Sequence, residues 1–228
     1  MSKKFYMVLD TETVLINGMQ VVYDIAYTIT DNSGIAVKSV NALIYEIYNG
    51  YNKAFQHDAY DGQNIRVRRK QYNKMLENGT ISIMTFHDFI LEFNTDIERY
   101  KIDKPTAYNC TFDCNALSKT AELLNITNHP FKILTDGKTK EYPMGDLYIP
   151  CKTLLQNDKK YTKWCEKYGF ITPKGKIKYT AESVYAYLTK NPGHIEKHYA
   201  LSDVTEESFI YTFLRRKKIK IDKKVVNT

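Results

Sequence analysis

Apolar and polar positions alternate along the chain in two different periods, one suited to strands and one to helices. Residues 4–10 form a compact apolar run ending in acids, and residues 21–30 (VVYDIAYTIT) are rich in β-branched and aromatic side chains, which suit a pleated surface. Asp31-Asn32-Ser33-Gly34 supplies turn chemistry, and residues 35–48 resume the β-branched pattern. Together they predict a three-stranded antiparallel meander whose first strand closes at Asp10. Residues 52–78 are polar and basic, with Arg66, Arg68, Arg69 and Lys70 close together. Phe86, Phe89, Ile90, Phe93 and Ile97 then recur at helical spacing, which predicts an amphipathic helix with its aromatics in the core.

Pro105 opens a short strand over residues 106–108, followed by Asn109 and a helix-like segment over 112–124. The weakly periodic residues 128–178 are expected to be an insertion with short elements of its own, one of them around 144–155. Thr180 is placed to cap a helix that Asn191-Pro192-Gly193 ends, and a last helix is predicted over 200–216. No internal repeat is visible. The expected organisation is one domain over residues 1–215, carrying the insertion, with a basic tail over 216–228.

Composition changes this picture in three ways. Hydrophobic residues make up 43% of the chain and charged ones 26%, enough apolar matter for a packed core. The net charge of +7 and pI near 9.0 favour polyanionic partners, because lysine and arginine release condensed counterions on binding phosphates. No apolar stretch approaches the roughly 18 residues needed to cross a bilayer, and no secretion signal is visible, so a cytoplasmic location is expected, in a host cell if the chain is phage-encoded. Heavy use of Lys, Asn, Ile and Tyr suggests an AT-rich coding genome such as that of a low-GC bacterium or its phage. Cys110, Cys114, Cys151 and Cys165 form no CxxC pair and are expected to be reduced and mostly buried.

The candidate chemistry is carried by acids. Asp10 and Glu12 stand at i and i+2, so on an extended strand both point to one face. Two like charges held this way are unfavourable unless one stays protonated or a divalent cation is ligated between them. Asp113 follows the strand that leads to Asn109, and Asp203 lies near the start of the last helix. Taken singly, acids at helix starts commonly serve as caps or complement the helix dipole.

In combination these residues resemble a known family. Val8-Leu9-Asp10-Thr11-Glu12-Thr13 resembles the first exonuclease motif of the DnaQ-like (DEDD) superfamily, to which the proofreading exonuclease subunit of bacterial DNA polymerase III belongs. Tyr108-Asn109-Cys110-Thr111-Phe112-Asp113, continuing to Leu117, resembles the second motif, and His198-Tyr199-Ala200-Leu201-Ser202-Asp203 the third. The chain departs from the pattern at Val14-Leu15, where many members have Thr-Gly. The resemblance covers about residues 4–125 and 180–213.

The resemblance implies a ribonuclease H-like α/β fold, with a mixed five-stranded sheet flanked by helices. It implies two Mg²⁺ or Mn²⁺ ions held by Asp10, Glu12, Asp113 and Asp203, with Thr11, Thr13 and Asn109 as substrate-binding candidates. The activity implied is 3′→5′ removal of nucleoside 5′-monophosphates from single-stranded nucleic acid, DNA favoured over RNA, with a DNA polymerase as a possible partner in trans. An exoribonuclease and a non-catalytic accessory protein are the alternatives.

The superfamily uses either His or Tyr in its third motif, and His198 and Tyr199 satisfy both spacings. An imidazole accepts a proton near neutral pH and a phenol does not readily do so, which favours His198 as the general base. His57, His87, His129 and His194 match no motif position, His194 being the nearest competitor.

Overall fold

A computed structural model describes residues 4–51, 65–126, 132–135, 138–141, 144–221 and 223–224, with backbone alone for 65–68, 132–135, 138–141 and 223–224. The first two strands, β1 (Tyr6–Ile16) and β2 (Met19–Thr30), form one long hairpin. Asn17 and Gly18 join them at φ of 51° and 78°, the two positive values that a tight two-residue hairpin turn requires. The first strand therefore does not close at Asp10. The Asn-Gly turn lets pairing continue to Ile16, and Val14 and Ile16 are buried as the hairpin extends.

The chain continues through β3 (Ala36–Ile44), a single turn α1 (Tyr45–Tyr48), α2 (Ile65–Glu77), β4 (Ser82–Met84), α3 (Phe86–Arg99), β5 (Pro105–Ala107) and α4 (Cys110–Leu123). A separate hairpin, β6 (Lys132–Thr135) with β7 (Lys138–Glu141), precedes β8 (Met144–Asp146), α5 (Tyr148–Leu155), α6 (Lys159–Tyr168), α7 (Ala181–Thr189), α8 (Ala200–Arg216) and β9 (Lys223–Lys224). The main sheet runs β4-β3-β2-β1-β5-β8-β9. Its β1–β2, β2–β3 and β8–β9 pairs are antiparallel and the other three are parallel. This is the mixed sheet flanked by helices that was expected. The short edge strands β4 and β9 raise the strand number from the expected five to seven.

Side chains alternate across β1 and sort the helices onto two faces. Met7 and Leu9 pack with Tyr72, Phe86, Phe89, Phe93 and Leu117 from α2, α3 and α4. Val8 packs with Leu147, Cys151, Tyr161, Cys165, Val184, Ile210 and Leu214, most of them from α5 to α8. Thr85 and Thr180 cap α3 and α7 by accepting the Asp88 and Ser183 N–H groups, so the expected Thr180 cap is present. All four cysteines are buried free thiols.

Of the residues expected as an insertion, β8 lies inside the main sheet beside β5, and α5 and α6 supply Cys151, Leu155, Tyr161 and Cys165 to the second cluster. Residues 127–131, 136–137 and 142–143 of it lie outside the described residues. The expected basic tail is partly docked, because Ile221 is buried and its carbonyl accepts the Lys104 ammonium. Residues 222 and 225–228 of that tail lie outside the described residues, as do His57 and His129.

One buried carboxylate fixes where α8 begins. Asp24 on β2 is fully buried, and its Oδ2 accepts the Tyr72 hydroxyl at 2.6 Å and the Ala200 N–H at 3.2 Å. The Ala200 N–H belongs to the first turn of α8 and has no partner within the helix. Asp24 thereby pins the helix that carries Asp203 to the middle of the sheet. Asp24→Ala leaves a hydroxyl and an N–H unpaired in the core and is expected to lower stability by about 2–4 kcal/mol, read as a fall in the urea midpoint.

Candidate active site

Asp10 and Glu12 occupy the same alternation as Tyr6 and Val8, so they face α8. The β1–β2 register slips just beyond Glu12, which pairs with Asp24 while Thr13 pairs with Val22. Tyr23 is thus the extra residue of a β-bulge, a device that re-aims neighbouring side chains. Thr120 of α4 secures it, its Oγ1 accepting the Val22 N–H at 2.8 Å. On α8 the core-facing stripe includes Ala200, Asp203, Val204, Glu207, Ile210, Tyr211 and Leu214, so two carboxylates sit where apolar residues would otherwise pack.

A cavity of about 710 Å³ opens between β1, α8 and the start of α4. Asp10, Glu12, His198 and Asp203 all line it, together with Thr11, Thr13, Asn109 and two acids that the motifs do not single out, Glu196 and Glu207. Among the described residues no lysine or arginine lines it. Ligand atoms of Glu12, His198 and Asp203 lie within 4.8 Å of one another, as do those of Glu196, Asp203 and Glu206. Glu207 was detectable in the sequence, since it follows Asp203 by four residues and so shares its helix face.

Asp113 is not among the cavity-lining residues. It is buried in the first turn of α4, where its Oδ1 accepts the Thr11 hydroxyl at 2.8 Å. Thr11, a substrate-binding candidate, thus uses its hydroxyl to hold a carboxylate. Asn109 adopts the left-handed conformation at φ 62° and its side chain makes no cap; its carbonyl accepts the Phe112 N–H at 2.9 Å. Cavity and helix entrance therefore meet at Asn109.

The adjacent His198 and Tyr199 part company. His198 has φ 54°, lines the cavity and brings Nδ1 to 3.9 Å from Glu196 Oε2. Tyr199 packs edge-on against Tyr72 with ring centroids 5.2 Å apart, in contact with the core. His194 Nε2 meets Glu206 Oε2 at 2.8 Å beneath the ring of Tyr185 and is not a cavity residue. Of the basic cluster Arg66, Arg68, Arg69 and Lys70, Arg69 lies over the Tyr48 ring and Lys70 is exposed, while the side chains of Arg66 and Arg68 lie outside the described residues.

Crowding and burial make these acids hard to ionise. Burial first, and then repulsion from Glu207, Asp113, Glu12 and Asp203, holds Asp10 well above the usual carboxylate range. Burial raises Asp113 to about 7 against the lowering effect of the Thr11 hydrogen bond, and raises Asp203 to about 10 with help from Glu196 and Glu12. Glu207 is also pushed well up, by burial and then by Asp113. Asp10 Oδ2 and Asp203 Oδ1 are buried and have no hydrogen-bond partner among the described residues. Orphaned carboxylate oxygens, a cavity without lysine or arginine among the described residues and hard oxygen donors together fit one or two divalent cations such as Mg²⁺ or Mn²⁺.

No protein-family model and no curated protein sequence matches the chain. Among solved structures it is similar to a full-length 3′-exonuclease (TM-score 0.53, 8% identity, 97% of this chain and 85% of that one). It is also similar to a 3′-exonuclease in a structure of 3′-end specific recognition of the histone mRNA stem-loop (0.56, 6% identity, 97% and 85%). A third likeness is to the nuclease domain of 3′hExo, a DEDDh family member, bound to rAMP (0.53, 7% identity, 98% and 98%). At such identity the likeness is one of fold, and it is the ribonuclease H-like fold expected from the motifs.

The raised carboxyls bind protons more tightly in the folded chain than in the unfolded one, so the metal-free protein loses stability as pH rises from about 4 through 7 for Asp113 and on toward 10 for Asp203. The melting temperature in EDTA is expected to be higher at pH 5 than at pH 8, and millimolar Mn²⁺ is expected to recover the loss at pH 8. Scanning calorimetry at the two pH values, with and without the ion, measures both effects.

Proposed function

We propose that this chain is a metal-dependent 3′→5′ exonuclease that removes nucleoside 5′-monophosphates from single-stranded DNA. The observation that carries the reading is the convergence of Asp10, Glu12, His198 and Asp203, from two distant stretches of sequence, in one cavity of nucleotide size. The likeness in fold to 3′-exonucleases, one of them a DEDDh family member, supports it.

In this reading Asp10, Glu12 and Asp203 hold two divalent cations from the cavity wall, with Asp113 behind them held by Thr11. The bound pair supplies the positive charge that eases deprotonation of water and stabilises the departing 3′-oxygen. His198 takes the proton of the attacking water, and the Glu196 carboxylate, 3.9 Å from Nδ1, favours the imidazolium that results. Thr13 and Asn109 contact the terminal nucleotide. Leu15, at 53% exposure, Phe112 and Tyr148 give the cavity an apolar rim on which a base can stack. In this way Leu15 would serve in place of the family's Thr-Gly.

A second reading is an exoribonuclease that trims RNA 3′ ends. It is favoured by two of the similar structures, one solved with rAMP and the other concerned with an mRNA stem-loop. Discrimination would rest on contacts to the 2′-hydroxyl.

Incubation of 5′-labelled single-stranded DNA and matched RNA with Mg²⁺, Mn²⁺ or EDTA tests both. The expected result is a metal-dependent ladder shrinking from the 3′ end. Asp10→Ala and His198→Ala are each expected to slow it by about 10²–10⁴-fold. The faster substrate decides between DNA and RNA, and a folded protein that cleaves neither with metal present would remove the enzyme reading.

A further inference from the structure

Glu207 stands one helical turn beyond Asp203 on α8, on the stripe that faces β1. It is 3% exposed and still lines the cavity with Asp10, Glu12, Asp203 and His198. Its Oε2 accepts the Tyr108 N–H at 3.2 Å, and Oε1 has no hydrogen-bond partner among the described residues. Its neighbours along the stripe, Val204, Ile210, Tyr211 and Leu214, are the kind of side chain that would pack there at lower cost. Among the acids near Asp10, Glu207 repels it most strongly. A buried carboxylate surrounded by like charge, with no cationic side chain beside it among the described residues, must either keep a proton or meet a bound cation.

An independent observation marks where that charge belongs. Asp203 is 3% exposed, its Oδ1 is buried with no hydrogen-bond partner among the described residues, and one of its carboxylate oxygens lies within 4.8 Å of ligand atoms of Glu12 and His198. The oxygen that Asp10 leaves unpartnered, Oδ2, is buried in the same cavity wall.

We infer that Glu207 is a fifth carboxylate ligand of the cation centre, reaching from α8 toward Asp10 across the cavity. Its Oε2 stays on the Tyr108 N–H and fixes the entrance to α4, while Oε1 is the donor to the cation. The inference rests on the metal-dependent reading above and adds a ligand to the four carboxylates that the sequence motifs indicate.

The test is Mn²⁺ binding to the EDTA-stripped full chain, followed through the electron paramagnetic resonance signal of free Mn²⁺ without substrate. Glu207→Gln keeps an oxygen for the Tyr108 N–H and removes the charged donor. It is expected to weaken Mn²⁺ binding by about tenfold or more, with the circular dichroism of the wild type retained. Glu122→Gln, at an exposed carboxylate paired with Lys119, is expected to bind as the wild type does. Equal Mn²⁺ binding by wild type and Glu207→Gln would leave the cation centre standing and overturn the role of Glu207. Absence of Mn²⁺ binding by the wild type would overturn both. If Glu207→Gln does not fold, Glu207→Asp decides: it keeps the charge and shortens the reach, and binding weakened by less than about threefold overturns the inference.

Discussion

Mutual repulsion among carboxylates is the constraint around which this molecule is arranged. Asp10, Glu12, Glu196, Asp203 and Glu207 line one cavity, Asp113 and Asp24 are buried close behind it, and among the described residues no lysine or arginine lines it. Left alone, such a group either takes up protons or pushes the elements that carry it apart. The chain holds it together by attaching every one of these acids except Glu196 to a rigid element whose position is fixed elsewhere: the β1–β2 hairpin by its long ladder, α4 by Thr11 and Thr120, and α8 by Asp24 and its apolar stripe. The two packed clusters on either side of the sheet supply the stability that this end of the molecule spends.

The buried partners differ from the cavity acids in kind. Asp96, on α3, has its Oδ2 matched by the Lys38 ammonium at 2.5 Å and by the Tyr27 hydroxyl at 2.6 Å, so this buried carboxylate has a cation and a donor within the protein. Asp24 is bound by a hydroxyl and a helix N–H. Asp10 Oδ2 and Asp203 Oδ1 receive nothing comparable from the described residues. Asp96 is thus matched by an internal cation, whereas the acids of the cavity have no lysine or arginine beside them among the described residues, an arrangement that a divalent cation would complete. That contrast is stronger support for a metal centre than the number of acids alone.

Much of this was legible in the residues. The DxE spacing on a strand, the aromatic helical period of α3 and the Thr180 cap follow from local rules, and each appears where it was expected. The hairpin end was not recognised because Asp10 and Glu12 interrupt the apolar run, although Asn17-Gly18 is a strong two-residue turn signal. The part β8 plays in the main sheet was hidden for a different reason. Three residues, Met144–Asp146, are too few to show a period, and their place beside β5 is set by tertiary contacts. Glu207 was missed because motif spacing was followed and helix geometry was not. The motifs name Asp113 as a candidate metal ligand, but its position behind Thr11 is not legible in them, because it depends on how α4 leaves the sheet at the left-handed Asn109.

The choice between His198 and Tyr199 shows where sequence spacing ends and backbone conformation begins. Both residues stand at separations that third motifs allow, and proton affinity alone favours the imidazole. The backbone adds a reason that spacing does not contain. At φ 54° His198 turns the chain sharply just before α8, and Tyr199, at extended angles, becomes the residue from which the helix starts. Successive side chains across that corner diverge: the imidazole joins the cavity, and the phenol ring goes to Tyr72, whose hydroxyl is bound to Asp24. Tyr72 and Asp24 in turn set the first N–H of α8, so the packing of Tyr199 and the placement of Asp203 depend on one buried contact. A tyrosine anchored in that contact could reach the cavity only by undoing the start of the helix that brings Asp203 there.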